Sequence, residues 1–461
     1  MRSTLTTFAL ILTLLGITLL YGYHLGKLRK EFMYSDYGKF YKSAQFMLQG
    51  KNPYTTIYFY SEPTKEKPKP ELQHLGANLN PPFFNLIAMP LALVKYPTSF
   101  LIWEAVMVGC GFFSIILLQR GLNLPATINA TLALTIALFL YYPTFANFWL
   151  GQISIFLLPC IIGAWIAERQ GKYWLSGLLL GFATSIKLFF GLFFIYYLIR
   201  REWRGFFWFT STILICALLP LILYDKSFYT RYDAMLQQIV WFSSGWNASL
   251  LGLFTRLFGN GEHNIPLWPI KGLTPILHKL CSGLLILLTV KLLWPDRRID
   301  PSNKINLDFS MILMVMLLIS PLGWMYYFPY LLIPVVVLLN LAHKGYHPYL
   351  IRILTCIAIA LTSTPLYLRI PQYTSNFTST ISFSACYTIG LFLLIGLLFF
   401  ARHALLHPHL PLKDTCSKSL AYTLYASALL PSFAGMLGAM HYSIIYGTES
   451  FLNVSHMFYG S

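Results

Sequence analysis

Long and continuously apolar runs recur along the whole chain, separated by short polar or basic segments. A membrane-spanning helix needs about 20 apolar residues, and about 17 are tolerated. The pattern predicts helices near 5–23, 98–118, 126–143, 152–167, 174–199, 205–224, 271–294, 307–323, 326–343, 349–368, 382–403 and 420–440. We therefore predict an all-α polytopic membrane protein with about 12–13 transmembrane helices.

Composition agrees with this class and narrows the partners. Hydrophobic residues make up 56% of the chain and charged residues 11%, against roughly 25% charged residues in soluble proteins. The net charge of +17 fits basic cytoplasmic loops, and it also fits attraction to anionic membrane lipids or a lipid phosphate. No compact basic region stands apart from the apolar runs, so we expect no nucleic-acid binding.

The basic residues also predict an unusual path for one segment. Arg169 and Arg200 flank the apolar run 174–199, and both belong on the cytoplasmic side. The run must then enter the membrane and return, although it is too short for two spans. We predict a shallow V with Lys187 near its turn. The alternative is one ordinary helix.

The chain divides into loops and helical regions. We predict a single integral membrane domain, 1–461, with a first outer loop at 24–97, a second outer loop at 225–270 and C-terminal transmembrane helices at 271–461. Within the first loop, the apolar stretch 81–97 is short and interrupted by Pro90, which indicates a helix lying at the membrane interface.

Asp36 is the first candidate for chemistry, because only 16 residues of the chain are acidic. It follows the first apolar run in S-D-Y-G-K-F-Y, where a general base would meet a lipid-borne substrate. Tyr37 and Tyr41 could donate hydrogen bonds or stack on a sugar ring. The alternative for Asp36 is a helix N-cap, a position that aspartate often takes.

Two charged residues fall within apolar runs. Lys187 at membrane depth costs about 2.5–3.5 kcal/mol, which a bound phosphate would offset. Its side chain could instead snorkel to the interface or pair with Glu104. Glu104 lies inside the second predicted helix, where it could bind an acceptor hydroxyl or form a structural salt bridge.

The outer segments add polar and aromatic candidates. The planar fork of Arg256 could bind phosphate near Asn247, or Arg256 could simply be solvated on an interfacial helix. Trp324, Tyr326 and Tyr327 interrupt two apolar runs in S-P-L-G-W-M-Y-Y. They could line a sugar or phosphate pocket, or they could be ordinary interfacial aromatic residues.

Seven blocks follow one another in an order that resembles glycosyltransferase family 87, a branch of the GT-C superfold. They are D-Y-G-K-F-Y-K-S-A-Q-F-M-L-Q-G-K-N-P-Y (36–54), P-P-F-F (81–84), M-P-L-A-L (89–93), L-G-Q-I-S (150–154), G-L-L-L-G-F-A-T-S-I-K (177–187), W-N-A-S-L (246–250) and S-P-L-G-W (320–324). The order of the blocks carries the resemblance.

The resemblance implies an inverting transferase. It would move a sugar, which we expect to be mannose, from a polyprenyl phosphate to a hydroxyl group of a glycan or glycolipid. Asp36 matches the family's presumed base, and Lys187 matches its intramembrane lysine. Gln152, in the L-G-Q-I-S block, joins the expected substrate-binding residues. The family commonly has a histidine pair where this chain has Tyr326 and Tyr327. Either phosphate recognition depends more on Lys187 and Arg256, or the donor differs from that of the family.

Further expectations concern the setting. We expect no metal and no other cofactor, a monomer surrounded by membrane lipids, and an active site facing outward from a bacterial inner membrane. The competing hypothesis is a transporter or flippase, with Lys187 and Glu104 on its path. A scaffold that has lost activity through the change to Tyr326 and Tyr327 is a third reading. Detection of a covalent glycosyl product separates the enzyme from both.

Overall fold

The chain forms helices in nearly all of its described part. The computed structural model describes residues 2–28, 36–54, 78–124, 126–239, 241–259, 266–295, 298–365 and 385–406, with parts of 424–437. Among these residues there is no β-strand, and extended pairing is limited to one isolated bridge between Asn247 and Trp324. The predicted all-α polytopic class is confirmed. The predicted helix at 420–440 lies mostly outside the described residues.

The helices are numbered here in chain order. They are α1 (Arg2–Leu28), α2 (Asp36–Leu48), α3 (Pro82–Ala88), α4 (Tyr96–Leu122), α5 (Ile128–Leu140), α6 (Tyr142–Leu150), α7 (Ser154–Arg169), α8 (Tyr173–Ile186), α9 (Phe193–Arg200), α10 (Trp203–Leu223), α11 (Ser227–Leu236), α12 (Leu250–Phe258), α13 (Leu273–Leu293), α14 (Pro301–Ile319), α15 (Leu332–His343), α16 (Pro348–Thr362) and α17 (Cys386–Leu406). Short 3-10 segments occupy Met89–Leu93, Leu188–Leu192, Trp241–Ser243 and Met325–Leu331.

By length and composition, the described part contains seven helices able to cross a membrane, or eight if the bent pair α5–α6 is one span. This count is below the predicted 12 or 13, because several predicted spans form shorter helices, α8, α9 and α16 among them. The exposure of the long helices differs strongly. In the most apolar part of α13 only 11% of the residues are buried, whereas in that of α14 83% are buried. Helix α14 is therefore central, and α13 presents its apolar side chains to the surroundings.

The segment 174–199 folds back on itself as predicted. Helix α8 ends at Ile186, Lys187 is extended, and a 3-10 turn leads into α9. Ser176 near the start of α8 and Tyr197 near the end of α9 are joined by a hydrogen bond of 2.8 Å between their hydroxyls. A continuous helix would place these residues about 30 Å apart. The two arms therefore form a V with Lys187 at its apex.

A buried ionic cluster anchors the open end of the V. Arg200, the last residue of α9, donates to Asp308 of α14 at 2.8 Å. Lys304 contacts the same carboxylate at 2.5 Å and also donates to the carbonyl of Leu293 at the end of α13. Because a buried ion pair is costly unless well paired, this network binds α9, α13 and α14 in one arrangement.

The stretch 81–97 is helical but short, in agreement with its predicted inability to span. Helix α3 and the following 3-10 turn lie against α2, with the rings of Phe40 and Phe84 edge to face at 5.1 Å. The Tyr41 hydroxyl donates to the carbonyl of Val94 at 2.8 Å. These contacts hold α2, and therefore Asp36, beside the start of α4.

Candidate active site

One cleft collects most of the polar side chains that the sequence singles out. It contains about 650 Å³ of space free of atoms, its open mouth included. It lies between α2, the turn after α6, the apex of the V and the two segments 241–249 and 320–331. Its lining residues are Asp36, Lys39, Phe40, Leu79, Asn80, Gln152, Lys187, Trp241, Ser244, Trp246, Trp324, Tyr326 and Tyr327.

Asp36 is in the first turn of α2 and is only 6% exposed. Lys39, one helical turn further, places its ammonium 2.6 Å from one carboxylate oxygen. The Gln152 amide donates to the other oxygen at 2.5 Å. Partial positive charge at a helix N-terminus also favours an anion at this position. These three groups hold an ionised carboxylate in a defined orientation at the cleft wall.

The turn that carries Gln152 is built around Gly151. Helix α6 ends there, with Gly151 at a φ of +66°. Its carbonyl accepts a hydrogen bond of 3.0 Å from the Trp103 indole of α4. The ring of Tyr37 stacks on Trp103, and its hydroxyl is hydrogen bonded to Ser99. The backbone of Gly151 thus touches the helix that carries Asp36.

Replacement of Gly151 by alanine should impair the site. The added Cβ would lie 2.5 Å from the Cβ of Tyr37, so α2 would have to move and separate Asp36 from Gln152. We expect activity to fall by about 100-fold, the usual effect of a displacement near 1 Å. Gly171→Ala is the matched control, because its φ is +69° and no atom lies within 4 Å of the new Cβ. Equal activity of the two variants in a transfer assay would disprove the role of this contact.

Lys187 projects into the cleft from the apex of the V. Its ammonium donates to the Tyr327 hydroxyl at 3.4 Å and lies 5.3 Å from the centre of that ring. Its charge also interacts with those of Asp36 and Lys39. The sequence alternative of a pair between Lys187 and Glu104 does not occur. Among the described residues the ammonium has a weak neutral partner, so it retains capacity to bind an anion.

Aromatic side chains form the remaining wall. Trp324 stacks on Tyr326 at 6.0 Å, and Tyr326 meets Tyr327 edge to face at 4.9 Å. The segment containing Trp246 is joined to the Trp324 segment by backbone hydrogen bonds, including Met325 N to Trp246 O at 2.9 Å. Flat rings of this kind suit the apolar faces of sugars as well as lipid chains.

Five predicted site residues are not part of the cleft lining. Tyr37 and Tyr41 turn their rings toward α4, and burial raises the pKa of Tyr37, which keeps its hydroxyl neutral. Glu104 is 4% exposed, and its two oxygens have no hydrogen-bond partner within the described ranges. The hypothesis that Tyr37 and Tyr41 stack on a sugar therefore has no support in this arrangement.

The other two are Asn247 and Arg256, both fully buried. The amide of Asn247 donates to Phe242 O and Pro321 O and accepts from the Gly323 amide at 2.8 Å. Arg256 donates to the carbonyl of Ser244 at 2.8 Å. Both side chains stabilise the segments 241–249 and 320–324, which carry the cleft tryptophans, and neither lines the cleft.

Several lining residues escaped the sequence reasoning. Lys39 was detectable, since Asp and Lys three positions apart share one face of a helix. Trp241 and Trp246 were not singled out, because tryptophans are common at membrane interfaces. Asn80 and Ser244 carried no sequence signal, because only the folded chain brings them to Asp36.

The fold and the cleft define an integral membrane protein with a charged and aromatic site beside the V formed by α8 and α9. The sequence profile of glycosyltransferase family 87 matches residues 78–321, which is more than half of the chain. The chain belongs to glycosyltransferase family 87. The match includes Gln152, Lys187 and the W-N-A-S-L block; it begins after Asp36 and ends at Pro321, before Trp324.

Curated relatives come from mycobacteria. The chain is 24% identical over 280 residues, 59% of each protein, to a Mycobacterium tuberculosis protein named polyprenol-phosphate-mannose-dependent alpha-(1-2)-phosphatidylinositol pentamannoside mannosyltransferase. A protein of the same name from Mycolicibacterium smegmatis is 26% identical over 148 residues, 32% of this chain and 34% of the relative. A third, from M. tuberculosis and named for phosphatidylinositol mannoside, is 23% identical over 199 residues, 42% of this chain and 43% of the relative. The chain thus spans about three fifths or less of the length of these relatives.

Proposed function

We propose that this protein transfers a mannosyl residue from a polyprenyl-phosphate donor to a hydroxyl group of a glycan or glycolipid. The observation that carries the proposal is one cleft holding the Asp36 carboxylate, the ammonium groups of Lys39 and Lys187, and an aromatic wall. These three charges sum to +1, which complements the single negative charge of a sugar phosphodiester. Family membership and the names of the mycobacterial relatives support mannose and a polyprenyl carrier.

Asp36 acts as the general base. It accepts the proton of the acceptor hydroxyl while that oxygen forms a bond to the anomeric carbon. The bond from the anomeric carbon to the phosphate oxygen breaks on the opposite face, so the configuration inverts. The electron pair leaves with the lipid phosphate, and no nucleotide or metal enters this step.

Lys187 stabilises the departing phosphate, with Tyr326 and Tyr327 donating hydrogen bonds in place of the family's histidine pair. Cations positioned where charge develops lower the barrier, because they need no reorganisation during the reaction. Arg256 supports this wall through Ser244, which differs from the direct phosphate contact expected from sequence. Lys39 must release at least part of its contact with Asp36 before the carboxylate can take a proton.

We propose that the cleft opens to the outer face of a bacterial inner membrane and that the protein acts as a monomer. The relatives are named for phosphatidylinositol mannoside acceptors, so a lipid-borne mannoside is the first acceptor to try. In this arrangement a membrane-bound donor and acceptor would reach the cleft without leaving the bilayer surface.

The test is mannosyl transfer in proteoliposomes. Purified protein is supplied with polyprenyl-phosphate [14C]mannose and either phosphatidylinositol mannosides or octyl α-mannoside, and products are separated by chromatography. We expect a new glycosidic product of inverted configuration. It should form only in vesicles where the outer face of the protein is exposed to the acceptor. Movement of labelled lipid across the bilayer without any covalent product would contradict the proposal.

A further inference from the structure

A closed set of hydrogen bonds determines which atom of the Asn80 side-chain amide is the oxygen and which is the nitrogen. The Asn80 backbone N–H donates to the side-chain oxygen of Asn78 at 3.1 Å, so that Asn78 atom must be an acceptor. The Asn80 side-chain atom 2.8 Å from the same oxygen must then be the NH₂ group. The remaining atom of the Asn80 amide is therefore its oxygen, Oδ1.

The surrounding contacts make this orientation rigid. Asn78 donates to Asn85 at 2.8 Å, and Asn85 donates to the Tyr54 hydroxyl at 2.9 Å. Tyr54 in turn donates to the Asn80 carbonyl at 2.7 Å, which closes the ring of contacts. Asn80 is 1% exposed, and its hydrogen bond to Asn78 keeps the amide from turning. Within the described chain Oδ1 has no hydrogen-bond donor.

The same reasoning applies to Gln152 across the cleft. Its partner is the Asp36 carboxylate, which only accepts hydrogen bonds when ionised, so the contacting atom is Nε2. Oε1 is left as an acceptor, and no described residue donates to it. Gln152 is 4% exposed. Two cleft-lining amides thus each present one buried oxygen that lacks a donor.

We infer that Asn80 and Gln152 form a carbohydrate subsite in which their amide oxygens accept hydrogen bonds from sugar hydroxyl groups. A buried acceptor without a donor destabilises the protein, and native proteins keep few of them. A phosphate cannot supply the missing donors, because its oxygens are themselves acceptors. Hydroxyl groups can, and Trp246 and Trp324 line the same cleft.

The cleft therefore holds two kinds of binding group. The Lys187 ammonium takes the anionic phosphate, and the amide oxygens of Asn80 and Gln152 take hydroxyl groups of a sugar. This inference rests on the proposed mannosyl transfer, and it names a recognition residue, Asn80, for that reaction. The sugar could belong to the donor or to the acceptor, since both carry hydroxyl groups.

The experiment compares wild type and Asn80→Ala on monodeoxy substrates. One arm uses polyprenyl-phosphate mannose and its monodeoxy forms, and the other uses octyl α-mannoside and its monodeoxy forms. For wild type we expect one deoxy position to lower kcat/KM by about 10- to 100-fold, the loss expected from one buried hydrogen bond. Asn80→Ala should lose a similar factor on the full substrate and discriminate no further at that position. The arm in which this occurs identifies the sugar.

Tyr54→Phe is the structural control. It removes the hydroxyl that joins Asn80 to Asn85 but leaves the Asn80 amide oxygen, so it should lower thermal stability and keep the deoxy discrimination. Unchanged discrimination at every position in folded Asn80→Ala would overturn the inference. A separate binding readout covers failure of the proposed reaction. If wild type transfers no mannose, either polyprenyl-phosphate mannose or octyl α-mannoside should still alter tryptophan fluorescence, and it should bind wild type at least about tenfold more tightly than Asn80→Ala. Equal binding, or none, overturns the subsite.

Discussion

Asp36→Asn should abolish most transfer while leaving the protein folded. Asparagine has nearly the same shape as aspartate but cannot accept the acceptor proton, and loss of a general base costs about 100- to 10,000-fold in rate. The fall should appear in kcat, because the donor phosphate is bound on the Lys187 side of the cleft. Initial rates in proteoliposomes at saturating donor measure the effect.

Asp233→Asn is the matched control for this change. Asp233 is an exposed aspartate on α11, where its carboxylate accepts a hydrogen bond from Gln237 at 2.9 Å. It should keep wild-type activity. Full activity in Asp36→Asn would refute the base assignment. Full activity there together with a clear loss in Lys187→Met would leave phosphate recognition in place and require another base.

Lys187→Met should weaken use of the donor. Methionine retains the length and flexibility of the side chain without its charge. Loss of one group that stabilises developing charge typically costs about 100- to 1,000-fold, and we expect kcat/KM for the donor to fall in that range. The KM for donor should rise as well, since the ammonium contacts the phosphate before reaction. Titration with polyprenyl phosphate itself separates binding from chemistry.

Lys172→Met provides the comparison. Lys172 is exposed and immediately precedes α8, at the opposite end of that helix from Lys187. The variant removes the same charge from the chain, so its donor kinetics should remain unchanged. Unaltered affinity for polyprenyl phosphate in Lys187→Met would exclude Lys187 as the phosphate ligand and shift attention to Lys39.

The V of α8 and α9 was predictable from one-dimensional information. Basic residues at both ends and an apolar run too short for two spans allow few paths, because burial of charge in a membrane is costly. The break between α14 and α15 at 320–331 was also predictable, since proline and glycine end the preceding helix there. Lys187 and Trp324 line the same cleft.

The roles of Tyr37, Tyr41 and Asn247 were not predictable in the same way. On α2, Asp36 and Lys39 face the cleft while Tyr37 and Tyr41 face α4, and which face turns inward depends on the neighbouring helices. Asn247 has the residue type of a ligand-binding amide, but its donors and acceptors are used by the backbone of two segments. Residue type alone cannot distinguish these uses.

The sequence by itself determined the membrane class, the approximate positions of the apolar helices, the V-shaped path of 174–199 and the family resemblance, because hydrophobic runs and charge placement act locally along the chain. Only the tertiary structure decided which side chains share the cleft. Gln152 lies 116 positions from Asp36 and Tyr327 lies 140 from Lys187, so their contacts depend on how distant helices pack. The two amide oxygens of Asn80 and Gln152 that lack a hydrogen-bond donor could also be found only in the tertiary structure, because an unsatisfied acceptor is defined by all of its surroundings.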